Sequence, residues 1–162
     1  MKFITRKENS QMSMYFEDFH EGFNFCTSAR KITKEDIIDF AKQWDFQPFH
    51  LDETTALQGP FQGLIASGWH TLLIAFSLVL STGKFSESSL GSPGLEDVNW
   101  YIPVRPNDVL ICKVTVVSSR LSKKSKKGVL KLLFEITNQD KRIASDFKAI
   151  WMVKVRPDID HK

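Results

Sequence analysis

The sequence predicts a single α+β domain in which an antiparallel sheet wraps around one central buried helix. The helix is predicted from an unbroken apolar run, Leu72 to Leu80, which is apolar on nearly every side and therefore typical of a buried helix. The sheet is predicted from three later segments that alternate apolar and polar residues, at 110–119, 129–137 and 143–155. Because a sheet must cover its apolar face, these observations together indicate a sheet packed against that helix.

The elements before the buried helix are predicted from local signals. Residues 1–14 are predicted to form a flexible polar arm, and residues 15–158 the folded domain. Alternation over 23–30 predicts a first strand. Thr33 followed by Asp36 has the spacing of a capping box, which predicts a helix that ends at Trp44. Residues 52–66 are expected to form a short helical turn and a loop.

The second half is predicted to be one helix followed by strands. The buried helix is expected over 68–81, after which the Ser- and Gly-rich segment 83–94 is predicted to be the least ordered internal connection. The run of strands is expected to begin over 98–104. Basic residues at 123–128 and polar residues at 138–141 mark the turns between the later strands. No internal repeat or second domain is indicated.

Composition limits the classes of function. The 162 residues are 42% hydrophobic and 25% charged, as in an ordinary globular domain, and the net charge is only +3. This mild charge gives no reason to expect nucleic acid or a membrane as a partner. The polar start of the chain and the short apolar run predict a cytoplasmic protein. Its two cysteines, Cys26 and Cys112, are too few for a disulfide framework and are predicted to be core residues.

One hexapeptide has the residues expected of an acid and base pair. It runs from Asp45 to His50 and contains Pro48, which prevents a continuous helix. On a loop stiffened by proline, the carboxylate and the imidazole can both face one water molecule, as a general base and a general acid do. The alternative interpretation is a structural one, in which Asp45 caps a helix and His50 is a hydrogen-bonded surface residue.

The start of the buried helix forms a second candidate site. Ser67 is a good N-cap residue, and Gly68 has no side chain to obstruct a ligand that approaches its N–H. The first N–H groups of a helix lack partners and carry partial positive charge. They can therefore stabilise a carbonyl oxygen that becomes anionic during a reaction.

These segments resemble the MaoC-type dehydratases, which are hot-dog-fold proteins and include the (R)-specific enoyl-CoA hydratases. The resemblance covers nearly all of the chain after residue 14. Its motifs here are Tyr15-Phe16-Glu17-Asp18-Phe19, Asp45-Phe46-Gln47-Pro48-Phe49-His50-Leu51-Asp52, Phe61-Gln62-Gly63-Leu64-Ile65-Ala66-Ser67-Gly68-Trp69-His70-Thr71 and Trp100-Tyr101-Ile102-Pro103-Val104-Arg105-Pro106-Asn107-Asp108.

The resemblance implies reversible hydration of a 2-enoyl-CoA to a 3-hydroxyacyl-CoA. Asp45 would take a proton from water, His50 would orient that water and protonate the α-carbon, and Gly68 would bind the thioester carbonyl. No metal or cofactor is expected apart from the coenzyme A of the acyl-CoA substrate, and a homodimer or a higher homo-oligomer is expected. The residues beside these three are the candidates for the substrate pocket, namely Gln47, Phe49, Ser67, Trp69 and His70.

The chain departs from the resembled pattern at two positions, and other functions of the same fold are alternatives. Ser67 stands where the hydratases commonly have His, and Gln47 replaces the commoner Asn. Thioesterases and a fatty-acid-synthesis dehydratase type of the same fold carry an acidic residue on the central helix, whereas residues 69–81 contain none, which favours a hydratase. A non-catalytic acyl-CoA-binding protein is the other alternative.

The lysines of the basic turn over 123–128 have two interpretations. They either bind the phosphates of coenzyme A or form a solvated hairpin turn.

Overall fold

The computed structural model describes residues 12–157, so most of the predicted N-terminal arm lies outside the described residues. The part of the arm that is described contacts the rest of the chain. The N–H of Met14 donates to the carbonyl of Lys84 at 2.7 Å, and the Ser13 hydroxyl accepts from the N–H of Glu87 at 3.0 Å. A short 3-10 turn, Phe16–Asp18, follows.

An antiparallel sheet forms the body of the domain, as the alternating segments predict. Its strand order is β1-β4-β5-β6-β3, and the short strand β2 also pairs with β4. The expected later strands are confirmed, although β3 both begins and ends four residues before the expected range 98–104. The strands are β1 Asn24–Cys26, β2 Arg30–Lys31, β3 Gly94–Trp100, β4 Val109–Leu121, β5 Lys127–Thr137 and β6 Ile143–Lys154.

The helices are α1 Lys34–Trp44, α2 Pro48–Leu51, α3 Glu53–Gln58 and α4 Gly68–Ser81. The capping box at the start of α1 is confirmed, because Thr33 and Asp36 each accept a hydrogen bond from the other's N–H at 3.0 Å. The sheet covers α4, and the buried residues of both belong to one apolar core. The α+β prediction, with a sheet around a central helix, is therefore confirmed.

The predicted first strand is interrupted. The Thr27 hydroxyl accepts from the N–H of Cys112 at 3.0 Å and donates to the carbonyl of Ser28 at 2.8 Å. The N–H of Thr27 still donates to the carbonyl of Cys112 at 2.9 Å, so the side chain takes the place of one of the two backbone hydrogen bonds between these residues, where β1 ends before β2. The expectation that both cysteines are core residues is half wrong, since Cys112 is buried whereas Cys26 is exposed.

One side of α4 is not buried by its own chain, contrary to the prediction of a helix buried all round. Its inner residues pack against the sheet, but four large apolar side chains spaced along one helical face are 38–59% exposed. This exposed α4 stripe consists of Trp69, Leu73, Phe76 and Leu80. The spacing is that of one continuous helix face, so the four side chains form a single apolar surface.

The connection after α4 is anchored, although the sequence predicts it to be the least ordered internal segment. Phe85 is buried in the core, and the N–H of Leu90 donates to the carbonyl of Met152 on β6 at 2.8 Å. The indole N–H of Trp151 donates to the Ser89 hydroxyl at 3.0 Å. These contacts attach the connection to the C-terminal end of β6. In residues 12–157, no helix has the length and apolarity that a membrane span requires.

Candidate active site

The structure brings the carboxylate of Asp45 and the imidazole of His50 together. Asp45 is the C-cap of α1, and His50 lies on the short helix α2, which begins at Pro48. The turn between the two helices leaves Oδ2 of Asp45 3.4 Å from Nε2 of His50. The side chains are only 14% and 4% exposed, so the pair is largely shielded from bulk water.

A carbonyl on the far side of the ring determines which His50 nitrogen faces Asp45. Nδ1 of His50 lies 2.7 Å from the carbonyl oxygen of Ile65. Because a carbonyl only accepts, Nδ1 carries a hydrogen and donates it. Nε2 is consequently the nitrogen that faces Asp45 and can gain or lose a proton. The N–H of Ile65 donates to the carbonyl of Phe49 at 3.2 Å, which holds this segment beside α2.

The surroundings of Asp45 keep its carboxylate ionised. Burial raises the pKa of Asp45, but hydrogen bonding from Ser67 and Gln47 and the charge of His50 outweigh burial and lower the pKa below 3.8. The Gln47 amide donates to Oδ1 of Asp45 at 2.9 Å, which leaves Oδ2 directed at His50. At neutral pH Asp45 is therefore an anion, as a proton acceptor must be.

The start of α4 completes the arrangement. Ser67 caps the helix, since its hydroxyl oxygen accepts from the N–H of Trp69 at 3.2 Å. Gly68 is the first residue of α4, so its N–H is among those without an acceptor inside the helix. Any Cβ at Gly68 would lie 2.6 Å from the indole of Trp100, which explains why a side chain is absent here.

These groups share one cavity of about 430 Å³. Asp45 and His50 lie in its wall with Gly68, and so do the predicted pocket residues Gln47, Phe49 and Trp69. A second part of the wall, which the sequence analysis did not assign to the site, consists of the consecutive residues Trp100, Tyr101, Ile102, Pro103 and Val104. These five residues belong to one of the motifs that resemble the MaoC-type dehydratases, and this motif was the sequence signal that could have assigned them to the site. The motif alone does not show that the segment passes beside α4 in the fold.

Two of the predicted pocket residues do not line the cavity. Ser67 is 1% exposed and does not line the cavity, but hydrogen bonding from it lowers the pKa of Asp45. His70 is also outside the wall, because its ring stacks on Phe40 of α1 with centroids 4.5 Å apart. Burial lowers the pKa of His70 to about 4, so it is neutral at physiological pH. The expectation that His70 contacts the pocket is replaced by a packing position between α1 and α4.

The basic turn lies at the opposite end of the sheet from the cavity. Lys127 begins β5 opposite Lys154, whereas Ala144 near the other end of β6 lines the cavity. At about 3.3 Å per residue, the strand separates the two ends by roughly 30 Å. Within one chain, the basic turn is therefore not part of the cavity wall. Among the described residues, no three His, Cys, Asp or Glu side chains converge as a metal site would require.

Comparison with curated proteins places these residues in a known family. The family described as MaoC-like domain matches residues 22–136, which include Asp45, His50 and Gly68. The uncharacterised protein YdeM of Bacillus subtilis is 34% identical over 126 residues, covering 78% of this chain and 89% of that protein. Protein MaoC of Klebsiella aerogenes is 27% identical over 102 residues, or 62% of this chain, but the match spans only 30% of that longer protein.

Solved structures agree in fold. A MaoC-like dehydratase from Rhodospirillum rubrum superposes with a TM-score of 0.80 at 30% identity, covering 90% of this chain and 99% of that one. An (R)-hydratase from A. caviae, involved in PHA biosynthesis, has a TM-score of 0.69 at 21% identity, with 86% and 99% covered. A Mycobacterium tuberculosis protein described as a double hot-dog fold matches at 0.65 and 17% identity, with 93% and 47% covered. The chain has the hot-dog fold and belongs to the family of MaoC-like domains.

Proposed function

We propose that this protein is a hydratase and dehydratase of acyl thioesters, which interconverts a 2-enoyl-CoA and a 3-hydroxyacyl-CoA. The observation that carries the proposal is the 3.4 Å approach of the Asp45 carboxylate to Nε2 of His50 in the wall of a cavity that also contains Gly68. This supplies an ionised proton acceptor, a proton carrier and a helix N-terminus around one cavity. Family membership and the resemblance of the structure to dehydratases support the same class of reaction.

In the hydration direction, the thioester carbonyl oxygen accepts a hydrogen bond from the N–H of Gly68. Asp45 removes a proton from a water molecule that contacts both Asp45 and His50 from the cavity, and the water oxygen adds to the β-carbon. The resulting enolate carries its negative charge on the thioester oxygen, where a preorganised donor contributes about 3 kcal/mol. His50 then gives the proton on Nε2 to the α-carbon, which completes the 3-hydroxyacyl product.

The geometry also provides a way to reset the two groups. After one hydration Asp45 is protonated and His50 has lost the proton from Nε2. The distance of 3.4 Å lets the proton return from Oδ2 to Nε2 directly or through one water. Nδ1 does not take part, since its hydrogen is held by the Ile65 carbonyl. Dehydration uses the same steps in reverse.

The cavity supports an acyl-CoA as the substrate. Its wall is mostly apolar and aromatic, with the acid and base pair as the main polar feature, and its volume of about 430 Å³ is in the range of small-molecule sites. The chemistry above uses no cofactor other than the coenzyme A of the substrate. A thioesterase is less well supported, because residues 68–81 of α4 contain no acidic side chain.

We also propose that the working unit is a homodimer or a larger homo-oligomer. The exposed α4 stripe and the edge strand β3 leave large apolar side chains in contact with solvent in the single chain, including Leu95 and Trp100, each 47% exposed. A second copy could cover both surfaces. Trp69 belongs to the stripe and to the cavity wall, so the proposed interface would border the substrate site.

The reaction is tested first by screening 2-enoyl-CoA compounds of increasing chain length, following the absorbance of the conjugated thioester. On the best substrate, Asp45→Asn and His50→Gln should each lower kcat/KM by about 10²–10⁴-fold, since each removes a positioned acid or base. The double variant should be little worse than either single variant, because the two groups act as a unit.

Two variants outside the cavity control for loss of the same chemical groups. Asp39→Asn removes an exposed carboxylate of α1, and His20→Gln removes an exposed imidazole. Both should keep the parental kcat/KM. If Asp45→Asn and His50→Gln also keep it, the hexapeptide is structural and the protein is not a hydratase of this type. A parent protein that binds acyl-CoA without turning it over would instead favour the non-catalytic alternative.

A further inference from the structure

The indole of Trp100 covers the start of α4 on the side where Gly68 lacks a side chain. A Cβ built on Gly68 would lie 2.6 Å from both Cε2 and Nε1 of that ring. The neighbouring indole of Trp69 meets Trp100 edge to face, with centroids 5.9 Å apart. Both rings are in the cavity wall. The two tryptophans therefore form an aromatic roof over the helix start, defined here as Trp69 and Trp100.

The backbone at Trp100 is fixed from both sides. Trp100 is the last residue of β3, opposite Ser145 on β6. The carboxylate of Asp146 accepts a hydrogen bond from the Asn99 amide and another from the Tyr101 hydroxyl, each at 3.0 Å. These two donors flank Trp100 in sequence, so the strand cannot shift without breaking one of them. A ligand beside Gly68 must accordingly fit against the indole.

We propose that Trp100 is a specificity-determining residue, whose indole excludes acyl thioesters that are branched at the α-carbon. The inference rests on the proposed function in one respect, which is that the thioester carbonyl binds at Gly68. An oxygen that accepts from the Gly68 N–H lies about 3 Å from that nitrogen. The ring contacts the same residue, and the α-carbon is bonded directly to the carbonyl carbon. A 2-methyl group therefore occupies space beside the indole that an unbranched chain leaves free.

The kinetic test compares 2-butenoyl-CoA with 2-methyl-2-butenoyl-CoA in the parent and in Trp100→Ala. The ratio of kcat/KM for the branched over the unbranched compound should rise about 10-fold or more in Trp100→Ala, as expected when one methyl group gains room in an apolar pocket. Trp44→Ala is the matched control, because Trp44 is 73% exposed and lies outside the cavity wall. Its ratio should stay within about twofold of the parent. An unchanged ratio in Trp100→Ala overturns the proposal.

A binding test separates this inference from the proposed reaction. Butanoyl-CoA and 2-methylbutanoyl-CoA are saturated and cannot be hydrated, so calorimetric titration gives their Kd values without turnover. Trp100→Ala should improve the affinity for the branched compound relative to the unbranched one, again about 10-fold. If the parent hydrates no enoyl-CoA but the affinity ratio shifts, the proposed function fails, whereas the specificity role of Trp100 is supported. If the parent neither hydrates an enoyl-CoA nor binds either saturated compound, both fail.

A second variant covers the case in which Trp100→Ala does not fold. Trp100 is 47% exposed in the single chain but lies on the edge strand that the proposed second copy would cover. Circular dichroism with thermal unfolding and light scattering therefore check that each variant keeps the fold and the oligomeric state of the parent. Trp100→Leu keeps an apolar side chain but removes the flat indole. It should shift both ratios in the same direction as Trp100→Ala, by a smaller factor. Ratios equal to those of the parent in a folded Trp100→Leu protein also overturn the proposal.

Discussion

The Ser67 hydroxyl serves two groups at once. Its oxygen accepts from the N–H of Trp69 and so caps α4, while its interaction with the Asp45 carboxylate lowers the pKa of that group. At 1% exposure, the hydroxyl does both without competition from bulk water. The resemblance places His at this position in the hydratases, so here a smaller side chain connects the helix start to the proposed base.

Removing the Ser67 hydroxyl should therefore have two separable effects. Ser67→Ala should destabilise the protein by about 1 kcal/mol through the lost cap. It should also raise the pKa of Asp45, because a hydrogen bond that favours the carboxylate is gone. The acid limb of the kcat/KM profile should then move to higher pH.

Thr33→Ala is the control for this variant, since it removes the cap of α1, away from Asp45. It should cost similar stability, measured by denaturant unfolding, but leave the pH profile in place. An acid limb that does not move in Ser67→Ala would mean that Ser67 is only a cap.

The sequence identifies the reactive groups but not the groups that orient them. Asp45, His50 and Gly68 are recognisable because their types and spacing suit the chemistry. The carbonyl of Ile65 is not, since every residue has a carbonyl and only the fold brings this one to Nδ1 of His50. Trp100 is missed for a similar reason, because its contact with Gly68 depends on how the end of β3 passes α4.

Helices α1 and α4 meet at a stacked pair, Phe40 and His70, whose ring planes are only 4° apart. Burial is the main cause of the low His70 pKa; the charge of Asp36 opposes it, whereas Arg30 and His50 add to it. Nδ1 of His70 is buried without a hydrogen-bond partner among the described residues. This contact between the helices therefore favours a neutral ring.

The stability of the α1–α4 contact should consequently depend on pH. The pKa of His70 falls from 6.5 to about 4 on folding, so the unfolded chain binds the proton more readily. Full stability is present above pH 6.5 and is lost as the pH falls towards 4, by on the order of 3 kcal/mol in total. His70→Leu should remove this part of the pH dependence.

Denaturant unfolding of the parent and of His70→Leu at pH 7 and at pH 4 measures the effect. The two proteins should differ by about 3 kcal/mol in how much stability each loses between these pH values. The exposed-histidine variant His20→Gln should behave like the parent. Equal losses in the parent and His70→Leu would show that His70 does not resist protonation in the folded protein.

The sequence predicts the regular helices and strands better than their interruptions. The capping box and the apolar run predict α1 and α4 because these signals are local. Pro48 is interpreted as part of a loop, yet it begins α2, since proline suits the first position of a helix where no N–H is needed. The interruption of the first strand depends on Thr27 meeting Cys112 from a distant strand, which no local pattern reveals.

Contacts between residues that are far apart in the sequence also decide how much of α4 is covered in the folded chain, and the sequence does not reveal them. An apolar run does not reveal which partner covers each side of a helix, and here the sheet of the same chain covers only part of it. Among the described strands, β3 is an edge and pairs only with β6. The exposed α4 stripe and the open edge of β3 in one small domain lead us to expect a homodimer.

Light scattering at micromolar concentration should accordingly give twice the mass of one chain. Leu73→Glu places a charge in the stripe and should give a monomer, because an unpaired carboxylate is costly to bury in an apolar interface. Leu57→Glu is the control, since Leu57 is 65% exposed on α3 and lies outside the stripe. It should remain a dimer. A monomeric parent, or a dimeric Leu73→Glu protein, would contradict an interface formed by the stripe.

The monomeric variant also tests whether the substrate site depends on the second copy. Trp69 links the stripe to the cavity wall, so losing the partner should expose this wall to solvent and raise KM. Asp45 and His50 are held by α1, α2 and the Ile65 carbonyl of their own chain, so kcat should fall less than affinity does. Steady-state kinetics of Leu73→Glu against Leu57→Glu separates the two effects. A parental KM in a confirmed monomer would show that one chain forms the complete site.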